Sequence, residues 1–60
     1  MTIKDFMDNV EVQGEYEVVY FDEKKCERVK VKHISKVHDC YIKYVYCENN
    51  TLFIEIELDN

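Results

Sequence analysis

Cysteine and histidine are the side chains of this chain with the widest chemistry, and five of them could bind a metal or take part in catalysis. They are Cys26, His33, His38, Cys40 and Cys47. Structural zinc sites usually draw their ligands in close pairs such as Cys-x2-Cys, and here only His38 and Cys40 are close in sequence. We therefore expect no metal and no cofactor, and three free thiols in a reducing compartment.

Two arrangements could in principle support catalysis. Cys40 with His38 or His33 could form a thiol–imidazole dyad, and Glu55 with Glu57 could form a carboxylate pair for acid–base work. A reactive thiolate needs a positioned base, an oxyanion hole and a cleft, and 60 residues with a single glycine offer little material for a cleft. Glu55 and Glu57 fit better as the polar half of an alternating edge strand. The sequence predicts a protein that is not an enzyme.

Charge is distributed in blocks along the chain, whose net charge is −5. Residues 1–23 carry one Lys against seven acidic residues, residues 24–36 carry six basic residues against one Glu, and residues 37–60 carry one Lys against five acidic residues. The bases that alternate along the middle block are Arg28, Lys30 and Lys32. They could contact phosphates, so binding of nucleic acid is our second hypothesis. The net negative charge and the glutamates expected opposite these bases make nucleic acid the less favoured partner.

Aromatic and acidic side chains share one face of the C-terminal segment. Residues 41–59 alternate as a β-hairpin closed by Asn49 and Asn50, because asparagine tolerates the positive φ that both central residues of a tight hairpin turn require. This hairpin places three rings beside four carboxylates: Tyr44, Tyr46, Phe53, Glu48, Glu55, Glu57 and Asp59. Rings are enriched in interface cores, and carboxylates steer toward basic surfaces. The sequence thus predicts a site for a host protein with a basic surface.

The other face of the same hairpin is aliphatic and is the expected core, formed by Val45, Leu52, Ile54, Ile56 and Leu58. Opposite pairs on this face would be Cys47 with Leu52, Val45 with Ile54, Lys43 with Ile56 and Tyr41 with Leu58. Only Lys43 breaks the apolar pattern, so either its stem lies along the core edge or a β-bulge intervenes there.

Residues 1–40 predict a helix and another hairpin. Thr2 and Asp5 have the spacing of a capping box, and apolar residues then follow at helical intervals, which predicts a helix over residues 3–9. Residues 15–21 and 26–33 alternate as strands around a turn at 22–25, with Val18 opposite Val29 and Glu17 opposite Lys30. Residues 34–40 follow neither period, and one turn of helix is the most we expect there.

The predicted fold is a single α+β domain over residues 1–60, in which a short N-terminal helix packs on a four-stranded antiparallel sheet of two consecutive hairpins. A small open β-barrel with one helix is the alternative. No apolar run approaches the ~20 residues that a membrane span needs, and the first residues lack the apolar stretch of a secretory signal. We therefore expect a cytoplasmic protein with no membrane partner.

Two stretches together resemble a class of known proteins. The stretches are residues 1–7, Met-Thr-Ile-Lys-Asp-Phe-Met, and residues 41–57, which contain the Asn-rich hairpin. They are similar to short acidic proteins encoded by phages, prophages and mobile elements of low-GC Gram-positive bacteria. The likeness is one of pattern and transfers no catalytic residue. Proteins of this kind often inhibit host defence, including anti-CRISPR proteins, some of which present carboxylates in place of DNA phosphates.

The resemblance implies a non-enzymatic protein–protein interaction module, an inhibitor of a host defence nuclease. A structural homodimer without a ligand, in which the fourth strand pairs with its own copy, is the third hypothesis.

Overall fold

The computed structural model describes residues 1–58, which form one helix and a four-stranded sheet, so the predicted α+β class is confirmed. The helix α1 is Ile3–Asn9, a 3-10 turn spans Ile34–Lys36, and the strands are β1 Glu15–Asp22, β2 Glu27–Lys30, β3 Ile42–Glu48 and β4 Thr51–Ile56. No helix among residues 1–58 is long and apolar enough to cross a membrane.

The helix begins with the predicted capping box. The hydroxyl of Thr2 accepts a hydrogen bond from the N–H of Asp5, and the Asp5 carboxylate accepts one from the N–H of Thr2, both at 3.2 Å. Two more N–H groups of the first turn donate to carbonyls of the segment that crosses beneath the sheet, Ile3 to Cys40 at 3.0 Å and Lys4 to His38 at 2.7 Å. A two-turn helix does not persist alone, and these bonds dock its N-terminus.

The sheet has the strand order β2-β1-β4-β3, and its central pair, β1 with β4, is parallel. Both predicted hairpins form, but they lie side by side through β1 and β4, so the prediction of a purely antiparallel sheet is wrong. The physical reason lies in β2, which has only four residues and carries Arg28 and Lys30. Consecutive hairpins would place this short basic strand in the middle of the sheet, whereas charge suits an edge. The sheet is open and does not close into the alternative barrel.

The hairpin of β3 and β4 keeps the predicted register near its turn. Asn49 and Asn50 both have positive φ, 52° and 63°, and Tyr46 lies opposite Phe53. These values identify the mirror-image turn that matches the twist of the strands.

A β-bulge between Ile42 and Tyr44 changes the pairing at the far end of this hairpin. Ile42 lies opposite Ile56, in the place predicted for Lys43, so the bulge alternative is confirmed. The predicted pairs of Lys43 with Ile56 and of Tyr41 with Leu58 are wrong, because the extra residue shifts the strand by one and releases Lys43 from the apolar face.

The pairing of β1 with β2 differs from the prediction by two residues. Val29 lies opposite Tyr20 and not opposite Val18, and Lys30 lies opposite Val19 and not opposite Glu17. The turn occupies residues 23–26. The carboxylate of Asp22 accepts hydrogen bonds from the N–H groups of Lys24 and Lys25, at 3.0 and 3.3 Å. The predicted register is wrong because the Asp22 side chain stabilises a turn that is centred one residue later than the predicted turn at 22–25. A shift of two residues leaves every side chain on its predicted face.

One face of the sheet, which we call the helix face, packs against α1 and the segment around the 3-10 turn. Its buried cluster consists of Ile3, Val18, Ile54 and Ile56. This confirms that the aliphatic face is the core. Val45 and Leu58 were expected there but are 47% and 36% exposed, because β3 is an edge strand and Leu58 lies beyond the end of β4.

Candidate protein-binding face

The opposite face of the sheet, which we call the open face, is covered by neither α1 nor the 3-10 turn. Strand alternation and the three registers place these side chains on it: Glu15, Glu17, Val19, Phe21, Arg28, Lys30, Tyr44, Tyr46, Glu48, Thr51, Phe53 and Glu55. Twelve side chains from four strands thus form one surface.

An ion pair that crosses a strand occupies the centre of the open face. The Nε of Arg28, on β2, donates to Oε1 of Glu55, on β4, at 2.5 Å, so the Arg28 side chain passes over β1. Glu55 is only 3% exposed, and Val19, which lies beside it on β1, is 4% exposed. The hydrogen bond to the Glu55 carboxylate is also the main reason that the pKa of Arg28 is raised above its ordinary value.

Aromatic rings lie next to this ion pair, toward β3. The rings of Tyr46 and Phe53 stack, with centroids 5.4 Å apart and planes inclined by 16°. The guanidinium carbon of Arg28 lies 5.6 Å from the centroid of Tyr46, within range of a cation–π interaction. Tyr44 is 54% exposed, and the Nζ of Lys43 lies 5.6 Å from its ring centroid.

The predicted protein-binding residues differ in exposure and in position. Tyr44 and Glu48 are exposed on the open face, and Tyr46 and Phe53 are half-buried there. Glu57 is exposed just beyond β4, and Asp59 lies outside the described residues. Glu55 is buried and paired, because β4 is a central strand and not the edge strand that the sequence predicted.

The predicted basic strip is largely neutralised. Arg28 is held by Glu55, and the Nζ of Lys30 lies 3.1 Å from Oε1 of Glu17. Lys32 is exposed but follows the end of β2. The strip therefore does not form a row of unpaired positive charges, and Arg28 belongs to the aromatic surface.

Sequence reasoning missed Phe21, which is 47% exposed on the open face. The signal was present in the alternation of β1, where Val18 and Tyr20 point to the helix face and residues 17, 19 and 21 point away from it. Phe21 lies opposite Arg28, so it adds an exposed ring beside the ion pair.

The thiols and imidazoles are scattered across the fold. Cys26 lies in the turn of the first hairpin, Cys47 lies on β3, and both are exposed free thiols, while Cys40 is half-buried against the core. The Nδ1 of His38 lies 2.6 Å from the carbonyl oxygen of Ser35, which can only accept, so this nitrogen carries the hydrogen. Among residues 1–58, no three His, Cys, Asp or Glu side chains are grouped so that they could hold a metal ion.

Two surface hollows, of about 460 and 700 Å³, lie away from the open-face rings of β3 and β4. The first is lined by the end of α1, the following loop and Tyr16, and the second by residues 20–24 and Leu58. Neither is lined by a histidine or a cysteine.

Searches against protein-family models, curated proteins and solved structures found no match to this chain.

Proposed function

We propose that this chain is a non-enzymatic protein-interaction module that binds another protein through its open face. The observation that supports this most directly is the stacked pair Tyr46 and Phe53, which shares with the exposed rings of Tyr44 and Phe21 a face that the helix does not cover. Aromatic anchors and arginine dominate the binding energy of protein interfaces, and here Arg28 packs against the ring of Tyr46.

The charges around these rings favour a partner with a basic surface. Glu48 is exposed on the open face, Glu57 is exposed at its border, and the net charge of the chain is −5. Charges at the border of an interface act mainly on the association rate and on the choice of partner. Glu55 takes no part in this steering in our proposal, because its carboxylate is buried against Arg28.

The partner class to test first is a host defence nuclease, such as a CRISPR effector, in the cytoplasm of a low-GC Gram-positive cell. The resemblance of residues 1–7 and 41–57 to small acidic phage proteins supports this choice. Nucleases that bind DNA carry positive surfaces, and carboxylates beside exposed rings are suited to occupy such a surface.

Nucleic acid is less well supported as the partner. Two of the three bases proposed to contact phosphate, Arg28 and Lys30, already pair with glutamates of neighbouring strands. The hypothesis of a homodimer through the fourth strand is wrong in its geometry, because both edges of β4 are occupied, by β1 and by β3.

The test is a capture experiment with matched surface variants. Tagged protein and the variants Tyr44→Ala and Phe21→Ala are incubated with a Gram-positive host lysate, and retained proteins are identified by mass spectrometry. Tyr16→Ala is the control, because this ring is 38% exposed and belongs to the helix face. The proposal is supported if the wild type and the control retain a stoichiometric partner and both open-face variants lose it. A partner retained equally by all four proteins would contradict it.

A further inference from the structure

The strand β3 has an outer edge that no other strand of residues 1–58 pairs with from Lys43 to Glu48. At the start of the strand, the N–H of Ile42 donates to the carbonyl of Met1 at 2.9 Å, and Thr2 bridges the neighbouring Tyr41. The strand is seven residues long, pairs with β4 on one side, and is the last strand of the sheet on the other. Tyr44 on its open face and Val45 on its helix face are 54% and 47% exposed. An edge strand with exposed apolar side chains on both faces is a template for the addition of another strand.

The turn at Asn49 and Asn50 determines which backbone groups of β3 point outward. In a two-residue hairpin the residues that flank the turn, here Glu48 and Thr51, are hydrogen-bonded to each other. Hydrogen-bonded and non-hydrogen-bonded pairs then alternate along an antiparallel ladder. The N–H and C=O groups of Val45 and Cys47 therefore point away from β4.

We infer that β3 pairs antiparallel with β3 of a second copy of this chain, centred on Tyr46, so that the two four-stranded sheets join into one. In this register Val45 of each copy lies opposite Cys47 of the other, and the outward backbone groups of both residues are satisfied. Tyr44 of each copy lies opposite Glu48 of the other. The pairing ends before the bulge between Ile42 and Tyr44, which would disrupt a longer ladder.

Charge complementarity is what identifies a second copy as the occupant of this edge. Lys43 and Glu48 stand at opposite ends of the strand, and the Nζ of Lys43 lies 5.6 Å from the ring centroid of Tyr44 on its own chain. Antiparallel pairing centred on Tyr46 brings that amine next to Glu48 of the second copy. The two-fold symmetry makes this pair twice.

The other edge of the sheet lacks this self-complementarity. If β2 paired with β2 of a second copy by two-fold symmetry, residues directly opposite each other would have to lie on the same face of the sheet. Arg28 of one copy would then lie opposite Lys30 of the other, or Arg28 opposite Arg28, or Lys30 opposite Lys30. Like charges directly opposite are destabilising, so β2 is protected from its own copy and β3 is not.

The first test is a charge swap measured by sedimentation velocity over a concentration series that reaches the millimolar range. Lys43→Glu and Glu48→Lys, made singly, are each expected to raise the dimer dissociation constant about tenfold, since two pairs become repulsive. The double variant is expected to recover to within about twofold. Within one copy the two residues are about 16 Å apart along the strand, so recovery must come from contacts between copies. A monomer at every concentration, or a dimer unaffected by the single reversals, would overturn the inference.

The second test reads the register directly. In an antiparallel hydrogen-bonded pair the Cα atoms are about 5.5 Å apart, a separation that a disulfide can bridge. Val45→Cys, in a Cys26→Ser background, is therefore expected to give a covalent dimer with Cys47 of the other copy after mild oxidation, seen on a non-reducing gel. Adding Cys47→Ser should abolish it. No covalent dimer, or one that persists without Cys47, would overturn the proposed pairing.

Discussion

Arg28 and Glu55 stand on strands that are not neighbours, and their hydrogen bond spans the strand between them. The donor is on β2, the acceptor is on β4, and β1 passes beneath the contact. The side chain of Arg28 is 54% exposed, whereas that of Glu55 is 4% exposed, so only the arginine of the pair is in contact with solvent to a large extent. The guanidinium can turn to solvent if its partner is lost, but the carboxylate cannot.

This asymmetry predicts unequal effects of removing the two partners. Glu55→Gln is expected to lower the free energy of unfolding by about 1 kcal/mol, because the amide oxygen can still accept from Arg28 but without charge assistance. Arg28→Ala is expected to destabilise more, since it leaves a buried carboxylate without its partner. The measurement is urea unfolding of both single variants and the double variant.

The matched control for this pair is Lys30→Ala. It removes a base from the same strand, but the Lys30 pair with Glu17 is more exposed, so we expect a loss of about 0.5 kcal/mol. If Arg28→Ala were as stable as Lys30→Ala, the ion pair of Arg28 with Glu55 would contribute no more to the free energy of unfolding than an exposed pair does.

Ile54 is expected to be the most sensitive position of the core. It is fully buried at the centre of the helix face, and Ile54→Ala should lower the free energy of unfolding by about 3 kcal/mol, or unfold the domain. Val45 lies directly opposite Ile54 on the same face but is 47% exposed, so Val45→Ala should cost less than about 1 kcal/mol. Thermal unfolding followed by circular dichroism checks both, and equal losses would contradict this placement of the core.

Asn50 is expected to tolerate only residues that accept a left-handed backbone. Its φ is 63°, and Asn50→Val should destabilise the hairpin by about 1–2 kcal/mol, because a side chain branched at Cβ clashes in that conformation. Asn50→Gly is the control and should be close to wild type, since glycine takes this φ without strain. Chemical denaturation of the two variants would contradict the turn assignment if their stabilities were equal.

The capping box predicts a specific loss of stability in acid. The hydrogen bond that the Asp5 carboxylate accepts from the N–H of Thr2 is the main cause that lowers the pKa of Asp5 below 3.8, its value in an unfolded chain. The contribution of Asp5 is therefore complete at pH values well above 3.8 and is lost as the pH falls through the lowered pKa of the folded state.

The stability difference between the wild type and Asp5→Asn should accordingly shrink on acidification below pH 3.8. Asp8→Asn is the control, because Asp8 is a helix carboxylate that pairs with Lys4 and makes no capping bond. Urea unfolding at several pH values measures both differences. A difference for Asp5→Asn that grows in acid would contradict the capping assignment.

Local chemistry made part of this fold predictable from sequence. Thr2 with Asp5 specifies the start of α1, and Asn49 with Asn50 specifies the turn of the second hairpin, because each pair acts on backbone within a few residues. The split into an aliphatic and an aromatic face was predictable for the same reason, since it follows from alternation alone.

The arrangement of the hairpins was not predictable from local pattern. Whether the two hairpins meet through β2 and β3 or through β1 and β4 depends on the total burial of each strand, and alternation within a strand carries no information about its neighbours. The pair of Arg28 with Glu55 could not be foreseen for that reason, because it exists only when β1 separates β2 from β4. The short basic strand β2 was the available signal, since its charge already indicated an edge.

The parallel contact between β1 and β4 also governs how the domain can form. It joins residues 15–20 to residues 51–56, positions 36 apart in the chain, and these two strands supply three of the four residues in the central cluster. A growing chain can form its first hairpin early, but the apolar side chains of that hairpin can be buried only after the chain has been extended to residue 56. Contacts this distant in sequence slow folding because the intervening loop must be ordered first. The domain is therefore expected to fold late and as a unit, and fragments that stop before residue 51 are expected to remain open to proteases.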